Sequence, residues 1–325
     1  MDALEKQKIP RKRSSIDKNK YGYLFVTPFI LGILIFTIYP VIYTLYLGLT
    51  NTTIMTKQSD FVGFQNYVQL FKDKVFLNSV ITTWKLWLLN FIPQLGVALL
   101  FSVWFTSTRL KIRFVGFWRT IFYLPNLLMP VTIAVLFNAL LSFYGPINQF
   151  LVRIGILKQA ADFLRMAGVM QGTVSYIQWW MWFGSTIIII TAGMTSISAS
   201  LYESAMVDGA SSMGMFTRIT LPLLRPILLY ILVTSLVGGM QMFDIPFMLT
   251  DTKGSPNFSI LTMVMSMYMR FASSKGNLGT AATVGTCIFI ITSVVSLILF
   301  RFLRSKDVEP KKKRNKVKGG AKSEL

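Results

Sequence analysis

Two clusters in this chain carry residue types that could do chemistry. The first is Leu201-Tyr202-Glu203-Ser204-Ala205-Met206-Val207-Asp208-Gly209-Ala210, which runs on to Ile219-Thr220-Leu221-Pro222. Glu203 and Asp208 are the only acids between Asp162 and Asp244. Ser204, Ala205, Gly209 and Ala210 surround them at helical spacing, and small side chains let another surface approach the backbone closely. The chemistry is docking rather than bond-making. A carboxylate at Glu203 can make a charge-assisted hydrogen bond to a partner, or cap its own helix. Gly209 permits a tight turn or a close approach. Pro222 and Pro226 break the helix, and Leu221-Pro222 sets the exit angle. The pattern reads as a short helix that plugs into a partner. The bland alternative is a loop helix with an incidental proline stop.

The second cluster is Gln178-Trp179-Trp180-Met181-Trp182-Phe183-Gly184-Ser185. Aromatic faces beside an amide and a hydroxyl can hold a polyhydroxylated ring, faces against its apolar side and polar groups on its hydroxyls. Trp179 and Trp180 have a competing reading as an interfacial aromatic belt. Gln178, Trp182 and Ser185 are the better cavity candidates, because the two polar members should avoid lipid.

The elements that must position these clusters are membrane spans. Hydrophobic residues make up 53% of the 325-residue chain and charged residues 14%. A soluble protein of this size cannot hide so much apolar surface. Six stretches of roughly the length a bilayer requires can be marked: 24–49, 80–105, 115–141, 174–197, 227–249 and 281–303. The expected fold is an all-α integral membrane bundle of six helices, over residues 23–304. Residues 198–226 form the loop that carries the first cluster. Residues 1–22 are a basic arm and 305–325 a basic tail whose composition reads as disordered. Proline in or beside most spans suits a bundle that bends around a cavity.

Basic residues set the orientation. Lys6, Lys8, Arg11, Lys12, Arg13, Lys18 and Lys20 precede the first span. Arg109, Lys111 and Arg113 follow the second, and Arg301, Arg304, Lys306 and Lys311-Lys312-Lys313-Arg314 end the chain. The opposite loops hold only scattered bases: Lys57, Lys72, Lys74, Arg153, Lys158, Arg165, Lys253, Arg270 and Lys275. Both termini are therefore expected in the cytoplasm, with Glu203 on the same side. The net charge of +20 could suggest nucleic acid. The bases instead flank apolar spans, where anionic lipid attracts them, and no nucleic-acid module surrounds them. No small-residue cleavage site follows the first stretch, which reads as a retained span.

Cys287 is the single cysteine and there is no histidine. An intrachain disulfide is excluded, and the commonest metal ligand and proton shuttle are missing. An intramembrane enzyme would need paired acids, a histidine motif or a Ser/Lys arrangement within the spans. The few acids do not pair at helical spacing. A structural scaffold would not need the docking pattern. No GxxxxGK[ST] phosphate loop occurs, so ATP chemistry would have to come from another chain.

The first cluster resembles the "EAA" coupling motif of binding-protein-dependent ABC importer permeases. Glu203-Ser204-Ala205, Gly209, Ile219, Leu221 and Pro222 match it in order and spacing, with Ser204 in place of alanine. Shorter elements resemble the carbohydrate-uptake branch, similar to maltose and multiple-sugar permeases. They are Phe61-Val62-Gly63-Phe64-Gln65-Asn66-Tyr67, Arg119-Thr120-Ile121-Phe122-Tyr123-Leu124-Pro125, Gly145-Pro146-Ile147-Asn148, and Phe243-Asp244 followed by Leu249-Thr250. Lys253-Gly254-Ser255-Pro256 departs from the branch's usual Thr-x-Gly-Gly-Pro. The resemblance covers nearly the whole chain after residue 20.

The resemblance implies a type I importer permease fold and no catalytic residues. It implies a second permease, usually a different chain, an ATPase dimer that binds the ATP, and an extracytoplasmic sugar-binding protein. Glu203, Ser204, Ala205, Asp208, Gly209, Ala210, Ile219, Leu221 and Pro222 would couple to the ATPase. The substrate path would draw on the third, fourth and fifth spans, with Asn126, Gln178, Trp182, Ser185, Gly239, Gln241 and Asp244 as candidates. Gly238-Gly239 has packing as its simpler role. Asp244 is either functional or paired. Lys85 is read as snorkelling to the outer interface. The expected cargo is a neutral sugar or oligosaccharide. A polyol, glycerol phosphate or other small solute is the alternative, and a basic path would favour phosphate.

Overall fold

The computed structural model describes residues 18–303, apart from 56–58, 108–109, 251–252 and 275, with side chains from residue 22. The basic arm through residue 17, the tail from 304, and Lys57, Arg109 and Lys275 lie outside the described residues.

The chain is all-α. It opens with α1 (Lys18–Ile33), a π-helical segment at Leu34–Ile38 and α2 (Tyr39–Leu47). Then come α3 (Gln65–Lys72) and α4 (Lys74–Thr106), followed by α5 (Val115–Tyr123), a 3-10 turn at Leu124–Leu127 and α6 (Pro130–Leu141). After these are α7 (Pro146–Arg153), a short 3-10 turn at Phe163–Arg165, α8 (Ala167–Thr195) and α9 (Ala199–Val207). The second half holds α10 (Ser212–Met215), a π segment at Phe216–Thr220, α11 (Leu221–Leu223) and α12 (Arg225–Met240). It closes with α13 (Asp244–Leu249), α14 (Met263–Phe271) and α15 (Leu278–Leu303).

Six helical segments among the described residues are long and apolar enough to cross a membrane: Gly22–Leu47, Lys74–Thr106, Pro130–Arg153, Ala167–Thr195, Arg225–Leu249 and Leu278–Phe302. The third expected stretch, 115–141, is corrected. It is broken at 124–129, and the long apolar segment starts at Pro130 and continues past the turn at Ser142–Gly145 into α7. Pro125 and Pro130 supply no N–H. Met129, just ahead of Pro130, is extended (φ −68°, ψ 129°), as a residue before proline prefers. The break is packed tightly, since a Cβ on Gly184 would lie 1.9 Å from the Phe122 carbonyl oxygen.

Both π segments sit just ahead of a proline. Tyr39 N–H bonds to the Leu34 carbonyl before Pro40, and Leu221 N–H bonds to the Phe216 carbonyl before Pro222. Proline cannot donate to the carbonyl four residues back, and a wider turn keeps its neighbours bonded.

The centre is the pair α4 and α8, whose paired residues rise together along the chain, so the helices run parallel. Gln94 Nε2 donates to Thr186 Oγ1 at 2.8 Å, Ser102 Oγ to the Ile187 carbonyl at 3.2 Å, and Thr191 Oγ1 to Ser102 Oγ at 3.2 Å. Such short polar side chains fasten helices where lipid offers no hydrophobic drive between them. Leu86, Ile177, Ile187 and Ile190 fill the seam and are fully buried. By contrast, the window of the first span is not buried within the chain at all.

Two short elements singled out in the sequence are structural hubs. Asn66 is buried, and its Nδ2 donates to the Gly48 carbonyl at 3.0 Å and the Thr50 carbonyl at 2.7 Å. That fastens the end of the first span to α3. Asn148 is buried and ties the Ser142 and Ala161 carbonyls and the Ala161 N–H into one loop.

Candidate functional site: a polar cavity and the loop that joins its helices

A cavity of about 390 Å³ lies between α4, α8, α12 and the start of α13. Gln178, Trp182 and Ser185 line it from α8, and Gly239, Gln241 and Asp244 from the end of α12 onward. The i, i+4 and i, i+7 spacing of the α8 residues puts them on one face. Asn126 is not among the lining residues. It sits half-buried in the 3-10 turn between α5 and α6.

The cluster on α8 divides by direction. Trp182 is 49% exposed and faces the cavity. Trp179 stacks on Phe183, with ring centroids 5.2 Å apart and planes at 19°, and packs with Trp180 against the helix core. Trp180 reaches Phe137 on α6 with ring centroids 6.4 Å apart, so both rings have packing partners, Trp179 within its own helix and Trp180 across to α6.

The sequence reading missed the contribution of α4. Trp87, Asn90 and Gln94 line the cavity, joined by Tyr230, Thr234 and Ser235 from α12. The signal was present: two amides four residues apart in an otherwise apolar span mark one helix face, and polar groups in a membrane avoid lipid.

Gly239 is where Trp87 lands. A Cβ on Gly239 would lie 2.1 Å from Trp87 Cδ1, while Trp87 Nε1 donates to Ser235 Oγ at 3.2 Å. Gly238 has open space around it and faces the cavity. The two glycines thus do different things, one taking a ring and the other leaving room.

Asp244 is the one charged side chain among the lining residues. No ion pair or hydrogen bond engages its carboxylate among the described residues, and the same holds for the amides of Gln178 and Gln241. These groups are free to bind something that enters. Lys85 Nζ, near the N-terminal end of α4, donates to Gln171 Oε1 at 2.6 Å, and Gln171 Nε2 donates to the Ser259 carbonyl at 2.7 Å.

The loop that carries the first cluster hangs directly from cavity-lining helices. α8 ends at Thr195 and α9 starts at Ala199; the return passes through Leu221-Pro222 into α12. Leu224 and Ile227 close against Gly193, where a Cβ would lie 2.9 Å from Leu224 Cδ2 and 2.3 Å from Ile227 Cδ1. Glu203, Ser204 and Asp208 are exposed on α9 and its C-cap, while Ala205, Ala210, Ile219, Leu221 and Pro222 are half-buried. Glu203 does not cap its helix; Ser198 occupies that position, so the capping alternative is corrected. Gly209 adopts φ +77°, and Ala210 N–H bonds to the Ala205 carbonyl at 2.9 Å and Gly209 N–H to the Met206 carbonyl at 3.1 Å. These two bonds are the Schellman ending of a helix, which needs a left-handed residue. Gly209 therefore serves a turn, with nothing near the place of its absent side chain.

No family model matches the chain. The lactose transport system permease protein LacF of Rhizobium radiobacter is 30% identical over 286 residues, covering 88% of this chain and 94% of that protein. The chain belongs to the sugar ABC transporter permeases. Another relative is the multiple sugar-binding transport system permease protein MsmF of Streptococcus mutans, 27% identical over 89% of this permease and 98% of that one. Among solved structures, a chain of a bacterial ABC transporter involved in the import of the acidic polysaccharide alginate superposes with TM-score 0.75 at 25% identity. It covers 89% of the permease and 96% of that chain. The same transporter in complex with an alginate pentasaccharide-bound periplasmic protein gives 0.74. The permease is thus a multi-pass membrane transport subunit and not an enzyme.

Proposed function

We propose that the permease imports a neutral sugar or oligosaccharide through the cavity between α4, α8, α12 and α13, driven by a separate ATPase that seats α9. The observation that carries this reading is the cavity lining. Trp182 offers an aromatic face, Gln178, Gln241 and Asp244 offer unengaged polar groups, and Asn90, Ser185 and Thr234 add polar atoms that also donate to their own helix backbone. Among the described lining residues there is no lysine or arginine to meet a phosphate or a uronate. That favours a neutral cargo over glycerol phosphate. An aromatic face and converging polar groups are what a sugar ring needs, and a polyol lacks the ring face for Trp182.

The exposed acids of α9 and its Schellman turn support the coupling role of Glu203, Ser204, Ala205, Asp208, Gly209 and Ala210. Ile219, Leu221 and Pro222 fix the return. In this reading the ATPase dimer holds the ATP, and the permease binds no cofactor. A second permease, usually a different chain, completes the path, and an extracytoplasmic binding protein delivers the sugar. The bias of basic residues puts both termini and α9 in the cytoplasm.

The test is mass spectrometry of what copurifies with the chain from its native membrane, followed by calorimetry of the recovered binding protein against neutral and acidic sugars. An ATPase, a second permease and a binding protein selective for a neutral sugar are the expected result. A chain that purifies alone, or a binding protein selective for an anionic ligand, overturns it.

A further inference from the structure

Tyr202 OH and Thr220 Oγ1 lie 2.8 Å apart, joining the outgoing and returning limbs of the cytoplasmic loop across eighteen residues of sequence. Tyr202 is half-buried on α9, one residue before the exposed Glu203. Thr220 is buried at the end of the π segment Phe216–Thr220, immediately before Leu221-Pro222. Among the described residues its hydroxyl has one other hydrogen-bond partner, the Met215 carbonyl at 3.5 Å, which is long for a hydrogen bond. The tyrosine is thus its close partner.

The position of this bond matters more than its strength. α9 is reached from α8 through Ser196–Ser198 and leaves through the turn at Gly209, so the backbone at both of its ends is non-helical. Backbone connections alone would let α9 swing without carrying α12 with it. The Tyr202–Thr220 contact instead reaches from the middle of α9 to the root of the helix that presents Tyr230, Thr234, Gly239 and Gln241 to the cavity. The π segment at that root is already wide, and Pro222 has no N–H to close it. It is a natural place for a push to be taken up as rotation of α12.

We infer that Tyr202 is a positioning residue, and that its hydrogen bond to Thr220 is the strut through which displacement of α9 is passed to α12. This rests on the reading of α9 as the ATPase-facing helix. A merely structural tie would hold the loop's resting shape. A strut must also carry movement, and removing one hydroxyl should separate the motion of α9 from that of α12.

The experiment uses the full complex, copurified and placed in lipid nanodiscs, in a Cys287→Ser background. Spin labels at Val207 and Ile290 report α9, and labels at Leu223 and Ile290 report the root of α12. All these labelled side chains are exposed. Distances are read before and after trapping the complex with ATP and vanadate. In the parent, both distances change on trapping. In Tyr202→Phe and Thr220→Val the Val207 distance still changes, and the Leu223 distance no longer does. Thr220→Ser, which keeps the hydroxyl, restores the Leu223 change. Thermal stability of the assembled complex is measured alongside to identify any variant that has lost its fold, and the serine variant then carries the comparison. If the Leu223 distance still changes in both Tyr202→Phe and Thr220→Val, the strut is overturned while the coupling reading stands. If the Val207 distance fails to change in the parent, the coupling reading falls and takes the strut with it.

Discussion

The indole of Trp87 lies so close to Gly239 that the smallest possible side chain there would overlap it. This contact joins α4 to α12 at the wall of the cavity, and Phe91 stacks on Trp87 at 5.2 Å and 10°. Gly239→Ala is expected to displace the ring, destabilise the assembled transporter by about 1–3 kcal/mol, the usual cost of overpacking, and reduce uptake. Gly238→Ala, next to open space, should leave stability nearly unchanged. Thermal unfolding of the two variants side by side checks the contrast.

Trp182 and Trp179 should respond in opposite ways to removal. Trp182→Ala takes away a half-exposed ring and is expected to raise the KM for uptake roughly fivefold, about 1 kcal/mol of lost ring contact, with the melting temperature preserved. Trp179→Ala empties a stacked, packed position and should lower stability by about 3–5 kcal/mol. Equal loss of stability in both would place Trp182 in the packing and remove it from the sugar path.

Glu203→Arg reverses an exposed charge that makes no ion pair or side-chain hydrogen bond among the described residues. The variant should insert and assemble at normal levels and lose transport. Uptake at the parental rate, measured alongside membrane abundance, would show that Glu203 is only a solvated acid.

Arg270 and Asp73 pair at 2.5 Å, linking α14 to the start of α4. Asp73 also accepts the Val75 N–H at 2.8 Å with its other oxygen. Burial pulls the Arg270 guanidinium below its ordinary pKa, and Asp73 opposes that by favouring the charged form. Arg270→Met breaks a charged hydrogen bond and is expected to cost ~1.5–3 kcal/mol. Asp73→Asn keeps the cap geometry and should cost less. Denaturation of the detergent-solubilised complex would distinguish them, and an equal cost would assign the whole effect to the charge on Asp73, since neither variant removes the cap.

Much of the fold was readable because its signals are long-range patterns. Twenty-odd apolar residues in a row mark a span whatever they pack against, and the positions of Glu203 and Gly209 mark a loop helix and its turn. Pro222, expected to break the helix, instead lies within helical backbone, because the π segment ahead of it absorbs the missing N–H. Gln178, Trp182 and Ser185 were readable because they share a face with one another. Asn90 and Gln94 were passed over because a strongly apolar context hid two amides that also share a face. The break at 124–129 was signalled by Pro125 and Pro130, but proline bends some membrane helices and ends others, and the packing of Gly184 on Phe122 decides between them. The directions of Trp179 and Trp180, and the meeting of Tyr202 with Thr220, depend on how separate helices come together. No local spacing encodes that.

The π segment at Phe216–Thr220 has a consequence for the length of the loop. An α-helix turns each residue by about 100°, so losing one residue within α12 would swing Tyr230 and Thr234 away from the cavity. A π turn holds one surplus residue. Deleting one residue among Phe216–Ile219 converts the segment to an ordinary α turn and leaves the faces on either side in register. The chain thus has a splice point at the root of α12, where its length can change by one while Thr220 still meets Tyr202 and the cavity keeps its lining.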